Sequence, residues 1–260
     1  MKIATWNING IKARIQNLKS WLEEAQPDIA CLQEIKSVSE GFPSSTFEDM
    51  GYNVVVHGQK SFNGVAILSK LPIEEQQIGL PGDPSDEQAR FIEVLVSTPS
   101  TPLRIGGLYL PNGNPVDTEK YPYKLAWMER LYQFAKGRLE LEEPFLLAGD
   151  YNIIPADADV HAPDAWRGDA LFRPESHAAY RKLLSLGLTD ALYAVNDKPG
   201  QYTFWDYQAG AWPKNNGIRI DHLLLSPEAA DRLQTCQIDK HTRGWEKPSD
   251  HVPVWIKLDV

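Results

Sequence analysis

The sequence predicts an α+β fold in which two packed β-sheets are flanked by helices. Three observations lead there. Short apolar, β-branched runs recur about a dozen times along the chain, more sheet than one layer holds. Only a few segments carry helical spacing, and they do not alternate regularly with the strands, which argues against a doubly wound nucleotide-binding fold. There is also no glycine-rich phosphate loop of the Walker or dinucleotide type.

Taken in order, Ile3-Ala4-Thr5-Trp6 is a strand running into Asn7 and the turn Asn9-Gly10. Ile11, Ile15, Leu18, Leu22 and Ala25 then recur at helical spacing and stop before Pro27. Ile29 to Gln33 reads as a strand ending at Glu34, and Tyr52–Val56 and Gly64–Ser69 as two more. Leu80 to Pro84 is a Pro/Gly loop; strands follow at Phe91–Ser97 and Arg104–Leu110, and a second such loop at Pro111 to Pro115. Leu125, Met128, Leu131, Tyr132 and Ala135 mark the second helix. Phe145 to Gly149 is a strand delivering Asp150-Tyr151-Asn152, and Tyr180, Leu183 and Leu184 mark a helix ending near Gly187. Ile218 to Ile220 reads as a strand ending at Asp221, and Ser226-Pro227-Glu228 as a helix N-cap with proline first. Gln234–Ile238 and Val252–Leu258 close the sheets. With no low-complexity segment, long linker or tandem repeat, residues 1–260 read as one domain.

Hydrophobic content of 42% and charged content of 23% suit a water-soluble globular protein. No apolar run approaches the ~20 residues that cross a bilayer, so no membrane partner is expected. Met1-Lys2 leads straight into a strand without a signal-peptide core. The two cysteines do not form a disulfide framework, and a cytoplasmic setting follows as the expectation. A net charge of −9 argues against a non-specific nucleic-acid coat. It still allows a local basic rim, for which Lys12, Arg14, Lys36, Lys60, Arg90, Lys214, Arg219 and Arg243 are candidates, each otherwise a solvated surface charge.

Five of the apolar runs end on, or sit beside, a carboxylate, an amide or a histidine. If neighbouring strands end at one sheet edge, Asn7, Glu34, Asp150, Asn152, Asp221, Asp250 and His251 converge on one cleft. That inventory suits a hard divalent cation and a water nucleophile. Each residue also has a plainer reading. Glu34 is a metal ligand or a loop residue on the surface. Asn7 holds a carboxylate or a metal-bound water, or it closes a turn. Asp150 and Asn152 share one face in extended chain, giving Asp150 the attacking water and Asn152 a phosphate oxygen, unless they form an Asx turn. Gly149 ahead of them lets a ligand approach the backbone. Asp221 and Asp250 flank His251 in this scheme: one orients the ring, the other reaches metal or solvent, and a histidinium stabilises charge on phosphate. Tyr109 is a core tyrosine or a phenolic donor to a phosphate oxygen or leaving group.

These segments carry a resemblance. Trp6-Asn7-x-Asn9-Gly10, Leu32-Gln33-Glu34, Tyr109-x-Pro111-Asn112, Gly149-Asp150-x-Asn152, Arg219-Ile220-Asp221 and Ser249-Asp250-His251 occur in the order found in the endonuclease/exonuclease/phosphatase superfamily. Asn63-Gly64-Val65-Ala66-Ile67 and Lys214 to His222 make the chain similar to its exodeoxyribonuclease III branch, the bacterial class II apurinic/apyrimidinic endonucleases. The resemblance covers essentially the whole chain. It implies a four-layered α/β sandwich, Mg²⁺ or Mn²⁺ dependence, and an active site at one end of both sheets. It places water activation on Asp150, metal ligation on Glu34 with Asn7 and Asp250, and phosphate or transition-state contacts on Tyr109, Asn152 and His251, with Asp221 behind the histidine. Arg90, Asn112 and Lys214 become DNA contacts by the same route. Relatives often carry tryptophan at the Ile218 position, so Phe204, Ile218 and Trp212 have to shape any pocket for an abasic sugar.

The expected activity is cleavage of double-stranded DNA at abasic sites and blocked 3′ ends by a monomeric phosphodiesterase that leaves a 3′-hydroxyl. Abasic endonuclease, 3′→5′ exonuclease and 3′-phosphatase activities all belong to that expectation. Trp205, Trp212, Lys214 and Arg219 favour a polymer. The alternatives are a phosphatase of small phosphoesters and a non-catalytic DNA- or protein-binding scaffold.

Overall fold

In the computed structural model, which describes residues 1–260, the apolar runs assemble into twelve strands in two mixed six-stranded sheets. The first sheet has the order β11-β12-β1-β2-β4-β3, from Leu233–Ile238 (β11), Val254–Leu258 (β12), Lys2–Asn7 (β1), Ile29–Gln33 (β2), Val65–Ser69 (β4) and Asn53–His57 (β3). The second has the order β5-β6-β7-β8-β10-β9, from Ile73–Ile78 (β5), Phe91–Val96 (β6), Leu103–Tyr109 (β7), Phe145–Asp150 (β8), Asp221–Leu225 (β10) and Thr189–Asp190 (β9). The helices are Ile11–Ala25 (α1), Ser44–Glu48 (α2), Lys120–Leu139 (α3), Pro163–Trp166 (α4), Pro174–Leu184 (α5), Ala191–Val195 (α6), Ala211–Lys214 (α7) and Pro227–Ala230 (α8).

Burial follows the layers. The central core joins Ile3, Ile29, Cys31 and Ile67 of the first sheet to Ile92, Ile105, Leu146 and Leu223 of the second. On one outer face Trp6, Ala30 and Leu68 meet Leu18, Trp21 and Leu22 of α1. On the other, Phe91, Leu147 and Leu224 meet Trp127, Met128 and Leu131 of α3 and Tyr180 and Leu183 of α5. The order helix, sheet, sheet, helix is the four-layered sandwich that the resemblance implies. Strands buried on both faces need continuous apolar runs, which is why β2, β4 and β8 read so clearly in the sequence.

The register sets up the site. In each sheet one parallel pair is central: β1 with β2, and β7 with β8. Their carboxyl ends carry Asn7, Gln33, Tyr109 and Asp150. The antiparallel partner β10 starts where β8 ends, with Asp221 opposite Asp150. Strand β12 starts opposite Thr5, so His251 lies just ahead of it on the same edge.

Two local expectations change. Ile218 to Ile220 is not a strand; Ile218 makes isolated bridges to Val160 and Phe204, and Asp221 begins β10 rather than ending a run. Gly149 is required by its neighbouring strand and not by a ligand: a Cβ there would lie 2.0 Å from the Leu108 carbonyl oxygen. The polar strand β5, a sheet edge with few apolar residues, carries too weak a pattern to be read from the sequence.

Candidate active site

Three side chains meet in the buried floor of the cleft: Asp150, Asp221 and His251 are 1%, 1% and 4% exposed. His251 Nδ1 lies 2.9 Å from Asp221 Oδ2 and 3.2 Å from Oδ1, while its Nε2 is 3.6 Å from Asp150 Oδ2. Burial alone would strip the proton from this imidazole. The charges of Asp221 and Asp150 outweigh burial and push its proton affinity up, so the ring is held as imidazolium. Burial also raises Asp150 above the usual carboxylate range, and Asp221 adds to the rise; His251 and the amide of Asn7 oppose it. The Asp150 carboxylate is therefore a stronger base than an exposed one, as proton abstraction from water requires.

Asn7 links this floor to Glu34. Its Nδ2 donates to Asp150 Oδ2 at 2.9 Å and to Glu34 Oε1 at 3.0 Å, and its Oδ1 accepts the Asn9 backbone N–H. Asn7 thus turns a nitrogen to both carboxylates, and the metal-ligand role expected for it becomes that of a spacer between two acids. Glu34 is partly open, and Lys36 Nζ stands 2.9 Å from its Oε2. Lys36 also donates to Asn9 Oδ1 at 2.6 Å, and Asn9 Nδ2 donates to Asp250 Oδ1 at 3.1 Å. Asp250 is consequently coupled to the Glu34 side through Asn9 and Lys36, and of these two aspartates it is Asp221 that hydrogen-bonds the histidine ring.

On the opposite wall, Asn152 follows β8 with a left-handed backbone, φ 48°. Its N–H donates to Asp150 Oδ1 at 2.9 Å, so the Asx turn and the active-site placement hold together. Asn112 Nδ2 donates to Asn152 Oδ1 at 3.1 Å, and Asn152 Nδ2 donates to the Leu110 carbonyl at 2.9 Å. Tyr109 points between the acids: burial, Glu34 and Asp150 hold its phenol well above its ordinary range, so it remains a donor. The Arg90 guanidinium stacks on the Tyr109 ring at 4.9 Å and donates to the Tyr109 carbonyl at 3.2 Å. Arg90, Asn112, Lys120 and Tyr123 line an open groove of about 480 Å³ beside the site, with Phe62, 69% exposed, on its rim.

Other sequence-predicted contacts are not brought together. Phe204 lies against the His251 ring with centroids 5.0 Å apart, and Ile218 backs it from the core at 2% exposure, so Ile218 offers no surface to a substrate. Trp212 belongs to a separate cluster, edge-on to the fully buried Trp205 at 4.9 Å. A pocket shared by Phe204, Trp212 and Ile218 is therefore not formed. Lys214 is exposed and donates to the Ala209 carbonyl at 2.9 Å. Arg219 is not on a rim: it is buried, held by Asp159 at 2.7 Å and Asp190 at 2.9 Å. Arg243 is buried too, donating to the Trp205 carbonyl. Sequence reasoning missed Lys124, which is fully buried beside Asn112 and Asn152. Its signal was present, a lysine within the stripe Tyr121, Lys124, Met128, Leu131 that α3 buries.

The donors fit a hard divalent cation. The buried carboxylate of Asp150 is bridged by the Asn7 amide to the open carboxylate of Glu34, so two oxygen donors face one space. No thiolate is near, which disfavours a soft metal.

Comparison with known proteins agrees with this geometry. Residues 4–251 match the Endonuclease/Exonuclease/phosphatase family. The chain is 36% identical to exodeoxyribonuclease III of Haemophilus influenzae, over 99% of this chain and all of that one. It superposes on an AP endonuclease from Archaeoglobus fulgidus with a TM-score of 0.94 at 38% identity, covering both chains fully. A 3′-5′ exonuclease from Neisseria meningitidis gives a TM-score of 0.95 at 37% identity, again over both full chains. A fold, a motif order and full-length similarity of this degree have one reading: the chain belongs to the endonuclease/exonuclease/phosphatase family, in its exodeoxyribonuclease III and AP endonuclease branch.

Proposed function

We propose that this protein is a divalent-metal-dependent DNA phosphodiesterase of base excision repair that leaves a 3′-hydroxyl. Its activities are incision at abasic sites, 3′→5′ exonuclease action and removal of 3′-phosphates and other 3′ blocks. The observation that carries the reading is the buried Asp221–His251–Asp150 row, joined by Asn7 to the open carboxylate of Glu34. Such a row joins a base, a fixed cation and a metal-suited acid, which together meet the needs of in-line attack on a phosphodiester.

Asp150 takes the proton of the attacking water. His251, kept as imidazolium by Asp221, donates to a phosphate oxygen as charge builds there. Tyr109 and the second N–H of Asn152 donate to the remaining oxygens. Glu34, with Asp250 coupled to it through Asn9 and Lys36, would hold Mg²⁺ or Mn²⁺. Such an ion, when bound, polarises the phosphoryl oxygen and eases departure of the leaving oxygen. Arg90, Asn112 and Lys120 line the groove that leads away from this point and suit a phosphate backbone. The working form is read as a monomer, since the chain by itself brings every site residue together.

The test is an end-labelled duplex with one abasic analogue, set beside an intact duplex and an EDTA control. A nick at the lesion and shortening from 3′ ends, both stopped by EDTA, are expected. No cleavage of either duplex, with phosphate released from an inositol phosphate instead, would replace this reading with a small-phosphoester phosphatase.

A further inference from the structure

Lys124, on the second turn of α3, is fully buried, yet its ammonium is not spent on an ion pair. Its Nζ donates to the carbonyl of Asn112 at 3.0 Å and to that of Asn152 at 2.6 Å. No backbone N–H reaches either carbonyl. These two residues sit in the loops leaving β7 and β8, and their side chains meet in the cleft, Asn112 Nδ2 to Asn152 Oδ1 at 3.1 Å. The loop backbone lies tight on the lysine stem: a Cβ on Gly113, where φ is +91°, would come 2.7 Å from Lys124 Cδ. Asn152 holds a left-handed backbone, which asparagine adopts more readily than other non-glycine residues, and its amide then faces Asn112.

We propose that Lys124 is a positioning residue, stapling the two loops through their carbonyls so that the Asn112–Asn152 amide pair is set for the phosphate. A packing role alone would be filled by methionine, which has similar length and no charge to bury. Burial pushes the ammonium down to about 7, against the pull of Asp150 and Asp169; keeping a cation here has a cost that the two carbonyls offset. The assignment rests on the functional reading above for what the amide pair contacts, and on the geometry alone for the staple itself.

The experiment is a double-mutant cycle on single-turnover cleavage of the abasic duplex, with wild type, Lys124→Met, Asn152→Ala and the double variant, each checked by thermal melting. Loss of two charge-assisted hydrogen bonds should slow Lys124→Met by about 10- to 100-fold. In the Asn152→Ala background the same change should cost less than about threefold, because the amide pair that Lys124 positions is already broken. Equal defects in both backgrounds overturn the proposal, as does a wild-type rate for Lys124→Met. Should Lys124→Met not fold, Lys124→Arg carries the test, and its defect must likewise shrink when Asn152 is absent. Independently of turnover, the side-chain amide ¹⁵N resonances of Asn112 and Asn152 should shift in the Lys124 variant. Unchanged resonances would remove the staple even with the nuclease reading intact, whereas shifted resonances in a protein that cleaves no DNA would keep the staple and remove that reading.

Discussion

At the scale of single residues the site separates a base from a cation across 3.6 Å. Asp150 has its carboxylate raised by burial and by Asp221, and His251 has its ring held protonated by the same two acids. Asp150→Asn keeps the shape and removes the base, so DNA binding should persist while turnover falls by about 10²–10⁴-fold. Single-turnover rates beside binding isotherms check this, and near-normal turnover would move water activation elsewhere. Because the folded Asp150 carboxyl is raised, its useful anionic form is lost as pH falls through that raised value. The acid limb of the wild-type rate profile should therefore lie above the ordinary carboxylate range. A limb at the pH of a free aspartate would contradict the geometry. Asp221 and His251 share one hydrogen-bonded unit, so Asp221→Asn, His251→Ala and their combination should be strongly non-additive. Strict multiplication of the two defects argues for independent roles. In the sequence, Glu34, Asp150, Asp221 and His251 were legible as a set; what each one touches was not. Asn7 read as a residue that holds a carboxylate or a metal-bound water, and its amide donates to both Asp150 and Glu34; which acids it holds is set by its neighbours and not by its place in a motif.

At the scale of elements, strand register decides what converges. Tyr109 and Asp221 flank Asp150 because β7 runs parallel to β8 and β10 antiparallel, beginning where β8 ends. Behind Asp221, strand β10 buries His222 against Arg219, whose Nη1 lies 3.0 Å from its Nδ1, and the opposite nitrogen lies 2.9 Å from the Ile153 carbonyl. Burial first, then the Arg219 charge, bring this imidazole down to about 4. Its folded value lies below the unfolded one, so the unfolded chain binds the extra proton first. The stability it confers is complete above about pH 6.5 and is lost as pH falls toward 4, by roughly 3 kcal/mol. Urea midpoints across that window should decline, and the His222 ring resonances should titrate only near its lower end. A midpoint titration near 6.5 would show that the ring is not buried neutral. Gly149→Ala should also unsettle β8, since its Cβ has the Leu108 carbonyl in its way. A loss of about 1–3 kcal/mol or more is expected for overpacking against backbone, read from melts.

At the scale of the whole molecule, the cleft is the shared edge of two sheets that face each other across an apolar core. The central core between them and the two clusters under the helices bury that edge's strands on both faces, with no charged group of the cleft among them. Chelation should therefore stop cleavage while leaving the chain folded. Saturating Mg²⁺ should then raise stability by about 2.7 kcal/mol at a hundredfold excess over Kd. Unfolding in EDTA would mean that the metal is structural. Glu34→Ala should raise the Mg²⁺ concentration needed for half-maximal rate and lower the rate itself. Identical Mg²⁺ dependence in both proteins would take the ligand role from Glu34. No helix is long and apolar enough to cross a membrane.

The sequence by itself determined the two-sheet class, nine of the twelve strands in outline, the main helices with their stops at Pro27 and Gly187, and the acids and histidine of the cleft. It could do so because these depend on local periodicity and on residue chemistry, both of which survive in one dimension. Tertiary structure alone decided that Arg219 and Trp205 are interior, that Trp212 stands apart from Phe204, and that Lys124 lies beneath the Asn112–Asn152 pair. Each of those outcomes turns on which face of an element meets a distant neighbour. A charged or aromatic residue looks the same in sequence whether that face is solvent or core.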